Sequence, residues 1–258
     1  MKILEYGKEN DRIALILECT AEPWWVFEAS AIELAKTFHV FLSIADGHEG
    51  EGTEFTSIER YASDTVSHLK CLGIEHLDLL YGCSMGGACA VRILACEDIE
   101  VEKAVIDAGI TPYPYPRFLC RMIAAVDFVS IWLATRSMTV MKLAAPPEKW
   151  TPEGEDPKEH YQRIIEFERK HYSPKTIYNV FWSANNYSMP ELPIKTDTKI
   201  EYWYGENEKK ARSNDLKYVK KAFPQTKEKM MEGMEHAELL LMYPKKFCEE
   251  IMRFWSEE

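Results

Sequence analysis

Ser84 stands between glycines two residues to either side, in the stretch Tyr81-Gly82-Cys83-Ser84-Met85-Gly86-Gly87. The run Leu77-Asp78-Leu79-Leu80 before it reads as a strand, and the small, then aliphatic residues after it read as a helix. A serine at a tight strand-to-helix bend, with glycines relieving the crowding, exposes its hydroxyl for nucleophilic attack. The plainer role for the same residue is to cap the following helix. A phosphate cradle is not supported, because the chain has neither G-x-G-x-x-G nor Gly-Lys-Ser/Thr.

A hydroxyl becomes a useful nucleophile only when a base takes its proton and a third group holds that base. Of seven histidines, His236 is placed best, on a loop between the strand candidate Lys227-Glu228-Lys229-Met230-Met231 and the last helix. His39, His68, His76, His160 and His171 fall in helical or loop runs and read as surface residues. His48, in Asp46-Gly47-His48-Glu49-Gly50, reads as a loop-shaping residue. The strand Ile200–Tyr204 ends in Gly205-Glu206-Asn207-Glu208, so an acid precedes His236 by 28 residues. Glu208 is favoured for the acid, with Asp107 and Glu206 as rivals; solvation of a loop is the alternative role for all three.

These residues need a scaffold that brings distant segments to one edge. Short apolar runs recur at 13–17, 40–44, 77–81, 104–106 and 200–204. Helical spacing separates several of them, as at Ile58, Tyr61, Ala62, Val66, Leu69 and Leu72, with Gly73 as the stop. Strands alternating with helices predict a mainly parallel α/β sheet. In the last helix Phe247, Ile251, Phe254 and Trp255 form one apolar stripe. From Thr111 to about Pro193 the alternation gives way to helical, aromatic, proline-punctuated sequence, with helix starts at Asp156-Pro157 and Ser173-Pro174. The expected organisation is a core of residues 1–110 and 194–258 interrupted by a helical cap of residues 111–193, too long for a structureless loop.

The 258 residues are 46% hydrophobic and 28% charged, with a net charge of −11. This is the composition of an ordinary globular domain. Such an acidic balance argues against nucleic acid and against an anionic membrane surface as partners. The most apolar stretch, 122–145, is interrupted by Asp127, Arg136 and Lys142, and reads as a buried or lid-forming helix rather than a span. The start lacks the apolar core and cleavage site of a secretory leader. Seven dispersed cysteines without a C-x-x-C pair suit a reducing cytoplasm. No metal-ligand spacing is apparent, and no cofactor is expected. The composition leaves homodimer formation open.

In Gly82-Cys83-Ser84-Met85-Gly86-Gly87, Asp46-Gly47-His48-Glu49-Gly50, Gly205-Glu206-Asn207-Glu208 and Gly233-Met234-Glu235-His236, the chain resembles the α/β-hydrolase superfamily over nearly its whole length. The resemblance implies a mainly parallel sheet flanked by helices, with a helical cap inserted after the sixth strand. It implies Ser84 as nucleophile, His236 as base and Glu208 as acid, where the superfamily more often has aspartate. The amides of Met85 and, less directly, Thr20 are implied as the oxyanion hole, with Cys19 as the alternative to Thr20, although Glu18-Cys19-Thr20 replaces the usual His-Gly pair. A serine hydrolase acting on a small or medium apolar ester or related acyl substrate is the expected function. Thioester, C–C and aminopeptidase chemistry on the same fold, or ligand reception without turnover, are the alternatives. Aromatic residues of the cap (Trp132, Trp150 and Trp182 among them), together with Trp24 and Trp25, are expected to line the substrate chamber or to fill the cap's own core.

Overall fold

The computed structural model describes residues 1–20 and 22–257. Seven strands form one sheet: β1 (Lys2–Tyr6), β2 (Ile13–Leu17), β3 (His39–Ile44), β4 (His76–Cys83), β5 (Glu100–Asp107), β6 (Lys199–Gly205) and β7 (Lys227–Met231). Their spatial order is β1-β3-β2-β4-β5-β6-β7, parallel throughout except for β1, which pairs antiparallel with β3.

β2 shows why the sequence commits to a central parallel strand. Its continuous apolar run Ile-Ala-Leu-Ile-Leu buries Leu15 and Leu17 in one core and Ala14 and Ile16 in the other, so both faces are covered. Of the helices between the early strands, α1 (Glu28–Leu34), α2 (Ile58–Cys71) and α3 (Met85–Cys96), α2 follows the predicted pattern closely. Ser57 caps its start by accepting from the Arg60 amide, its predicted apolar stripe is buried from Ile58 to Leu69 while Leu72 at its end is exposed, and Gly73 follows at φ +80°.

Five helices separate β5 from β6: α4 (Arg117–Ala134), α5 (Met138–Ala144), α6 (Pro147–Trp150), α7 (Pro157–His171) and α8 (Pro174–Ala184). The predicted starts of α7 and α8 are built as expected. Asp156 accepts from the amides of Lys158 and Glu159, and Ser173 from that of Thr176, caps worth about 1 kcal/mol each. α8 ties this helical segment to the start of α2 and the loop before it: Ser183 Oγ accepts from Ile58 N at 2.7 Å, and Asn179 Nδ2 donates to Phe55 O at 2.8 Å. After β6 come α9 (Lys209–Ala222), α10 (Glu238–Met242) and α11 (Pro244–Ser256), the last burying Phe247, Ile251 and Phe254.

Three expectations change. The insertion follows the fifth strand in chain order, not the sixth, because a single strand, β1, precedes β2. β1 itself has no counterpart in the sequence reading: it is a short edge strand, only partly buried, and so shows little hydrophobic alternation. The apolar stretch 122–145 is not buried. Only Cys120 and Ala124 of α4 are, and α5 buries no residue.

Candidate active site

The strand register brings the chemistry-bearing residues to the carboxyl edge of the sheet. Leu17 of β2 pairs with Gly82 of β4, so two residues further on Cys19 and Ser84 leave neighbouring strands side by side. Gly205, ending β6, pairs with Met231, ending β7, which places the loops carrying Glu208 and His236 next to one another. Asn207 N donates to Met234 O at 3.1 Å and joins those two loops.

Ser84 occupies the bend between β4 and α3 with φ 54° and ψ −109°. A non-glycine residue in this left-handed region carries strain of order 1–3 kcal/mol and persists only where the surroundings impose it. They do so through close packing. A Cβ on Gly82 would lie 2.2 Å from Gly86 O, and one on Gly86 would lie 2.3 Å from Leu17 O. The G-x-S-x-G spacing is therefore a requirement of backbone approach. Ser84 N donates to Asp107 O at 2.8 Å, which anchors the bend to β5. The side chain of Ser84 caps no amide of α3, so the capping role is not the one the geometry supports. Met85 is the first residue of that helix, where amides lack intrahelical acceptors.

His236 and Glu208 meet. His236 Nδ1 lies 2.8 Å from Glu208 Oε2, while Gly205 N donates to Glu208 Oε1 at 3.2 Å. Arg212 Nε is 3.3 Å from the same Oε2. Burial would raise the Glu208 carboxyl, but the His236 hydrogen bond, the Arg212 charge and the Gly205 amide outweigh it and hold the group below its ordinary value. A carboxylate on Nδ1 fixes the tautomer and leaves Nε2 to act as base. The rival acids are engaged elsewhere. Asp107 accepts from the Tyr81 hydroxyl, and burial pushes its carboxyl up to about 6. Glu206 accepts from Gly233 N at 2.9 Å. Among the described residues no hydrogen bond joins Ser84 to His236.

His236 and Thr20 line one cavity of about 900 Å³, together with Glu22, Trp25, Trp150 and Tyr161. Ser84, 7% exposed, does not contribute to its wall. Thr20 Oγ1 is buried there without a hydrogen-bond partner. Of the aromatic residues expected around a chamber, Trp25 and Trp150 reach it. Trp24, Trp132 and Trp182 do not: Trp132 stacks on Phe128, and Arg121 covers Trp182.

Several polar residues of this region escaped the sequence reading. His160, expected at the surface, is buried on the cavity wall with Nδ1 2.6 Å from Glu155 Oε2. Glu22, with nothing in its local sequence to single it out, has its carboxyl pushed up to about 7 by burial. His48 packs against Tyr172 and Phe55, and burial pushes its imidazole down to about 4, which keeps it neutral near pH 7. At the opposite, amino-terminal edge of the sheet, His76, Asp78 and Glu102 bring ligand atoms within 4.8 Å of one another. Two of the three are exposed, and solvated charges of this kind are common on protein surfaces.

No protein-family model matches the sequence, and no curated protein does. Solved structures do match the fold. An alpha/beta hydrolase family protein from Desulfitobacterium hafniense superposes with a TM-score of 0.75 at 17% identity, covering 98% of this chain and 99% of its own. The fold is that of the α/β hydrolases. An esterase from a marine microorganism gives a TM-score of 0.67 at 19% identity, with 98% of each chain covered. The epoxide hydrolase VrEH1 from Vigna radiata gives 0.68 at 12%, covering 98% of this chain and 92% of that one. Neighbours of such different activities establish architecture and leave the reaction to the site.

Proposed function

We propose that this protein is a serine hydrolase that cleaves carboxylic esters through an acyl-enzyme on Ser84. The observation that carries the reading is the strained φ of 54° at Ser84, on the same sheet edge as the 2.8 Å His236–Glu208 pair. Ser84 Oγ attacks the carbonyl carbon while its proton passes to His236 Nε2. The carbonyl electrons move onto oxygen, and the Met85 and Thr20 amides receive the oxyanion, each such donor being worth about 3 kcal/mol of barrier. The imidazolium then protonates the departing alkoxide. Water, deprotonated by the same ring, releases the acid and restores Ser84. Serine and base often stand apart in an unliganded site and close to hydrogen-bond distance only with substrate.

In this account the helices between β5 and β6 act as a cap over a substrate chamber, with Trp150 and Tyr161 from above and Trp25 from the core. A small to medium apolar acyl group suits a cavity of about 900 Å³. Labelling with a fluorophosphonate probe, and hydrolysis of short p-nitrophenyl esters, test the assignment. Both should vanish in Ser84→Ala. Labelling that survives that substitution would move the nucleophile to another residue, and a correctly folded wild type that takes no label would return the chain to ligand reception without turnover.

A further inference from the structure

The long helix α4 presents two unlike faces. One packs on α8, with the Phe128 ring 6.3 Å from that of Tyr178 and the Arg121 guanidinium 5.6 Å from the Trp182 ring. The other shows Phe118, Met122, Val126, Val129 and Leu133 to solvent, each between 50% and 64% exposed. Their spacing of four, four, three and four residues keeps all five on one stripe of the helix. Tyr115 and Leu119, at the start of the helix, are also exposed. At on the order of 150 Å² per side chain, these seven residues at their observed exposures present roughly 560 Å². That lies at the upper end of the largest apolar patch of an ordinary monomer, about 300–600 Å² and often functional, and is about two thirds of the share of one partner in a standard interface, about 800 Å².

We propose that this face of α4 is a two-fold docking surface for a second copy of the same chain, the two α4 helices running antiparallel. Four of the five stripe residues are placed palindromically. Phe118 and Leu133 lie equally far from the point between Ala125 and Val126, as do Met122 and Val129. A two-fold interface needs such self-complementarity, because residue i must meet j while j meets i. An axis at that point sets Phe118 against the partner's Leu133 and Met122 against the partner's Val129. It also brings Val126 close to its own copy, beside the small Ala125. Arg117 of each copy then stands at the carboxyl end of the other α4, where the helix dipole favours a cation.

A lipid surface fits less well. Of the four cations along 117–142, Arg121 is folded onto Trp182, and Arg136 lies 3.8 Å from the Trp132 ring and donates to Tyr172 O. Neither is free for headgroups. The inference does not depend on the chemistry assigned to Ser84.

Analytical ultracentrifugation of the full chain tests it. The wild type should sediment as a dimer at micromolar concentration. Val126→Arg, which sets two guanidinium groups at the axis, should weaken the dimer at least a hundredfold while leaving the circular dichroism unchanged, since the side chain is exposed, and should lower the melting temperature only by the stabilisation that association supplied. Val126→Cys should give an inter-chain disulfide under mild oxidation beyond any that the wild-type cysteines form. A wild type monomeric up to high micromolar concentration overturns the proposal, as does a dimer that Val126→Arg leaves intact. So does a monomer that binds phosphatidylcholine–phosphatidylglycerol vesicles and loses that binding in Val126→Arg, because a lipid surface would then be the occupant.

Discussion

Replacing Glu22 by glutamine should make the protein's stability less sensitive to pH. Burial moves this carboxyl from its ordinary 4.5 up to about 7, so between those values the folded state holds a proton that the unfolded chain has released. Stability therefore falls as pH rises through this window, the reverse of the behaviour of a salt-bridged carboxylate. At 1.36 kcal/mol per pH unit, a gap of about 2.5 units corresponds to roughly 3 kcal/mol. Glu22 faces a cavity that water can enter, so about 2 kcal/mol is the expected effect. Glutamine keeps the shape and cannot ionise. Urea unfolding of both proteins at pH 5 and pH 8 reads the difference directly: Glu22→Gln should gain about 2 kcal/mol relative to wild type on going from the lower pH to the higher. An advantage of the same size at both pH values would refute the reasoning, because the carboxyl would then not be titrating against its burial.

Two further outcomes follow from the site. Ser84→Gly should be more stable than Ser84→Ala by about 1 kcal/mol, since φ 54° with ψ −109° strains any residue with a Cβ; thermal melts of the inactive pair check this. Glu208→Gln should lower kcat on p-nitrophenyl esters by on the order of 10³-fold or more, with KM changed little, because an amide no longer holds the imidazole in the reactive tautomer.

What the sequence discloses about this protein divides along a physical line. Features fixed by local covalent and hydrogen-bonding constraints are legible. The glycines around Ser84 announce a close backbone approach, Asp156-Pro157 and Ser173-Pro174 announce helix starts, and the loop after Gly205 delivers Glu208 rather than Glu206 to His236. Features fixed by what packs against a segment from elsewhere are not. β1 is held by pairing with β3 and carries no strong pattern of its own. His160 is buried on the cavity wall with Glu155 beside it, although its helix α7 reads as polar. The state of Glu22 depends on α7 and the cavity around it rather than on its neighbours in sequence. The apolar residues of α4 read as core residues because hydropathy reports side-chain chemistry and not what packs against it, and most of them face solvent.

The central claim is that Ser84 becomes covalently acylated. Intact-mass and peptide analysis of the wild-type protein, quenched during turnover of p-nitrophenyl acetate, tests it most directly. The account predicts one acetyl group on the peptide carrying Ser84, a matching burst of p-nitrophenol, and a longer-lived adduct in a His236→Ala variant acylated slowly by excess ester, because deacylation also needs the imidazole. Hydrolysis with no adduct on Ser84, or an adduct on another residue of the cavity, would contradict it.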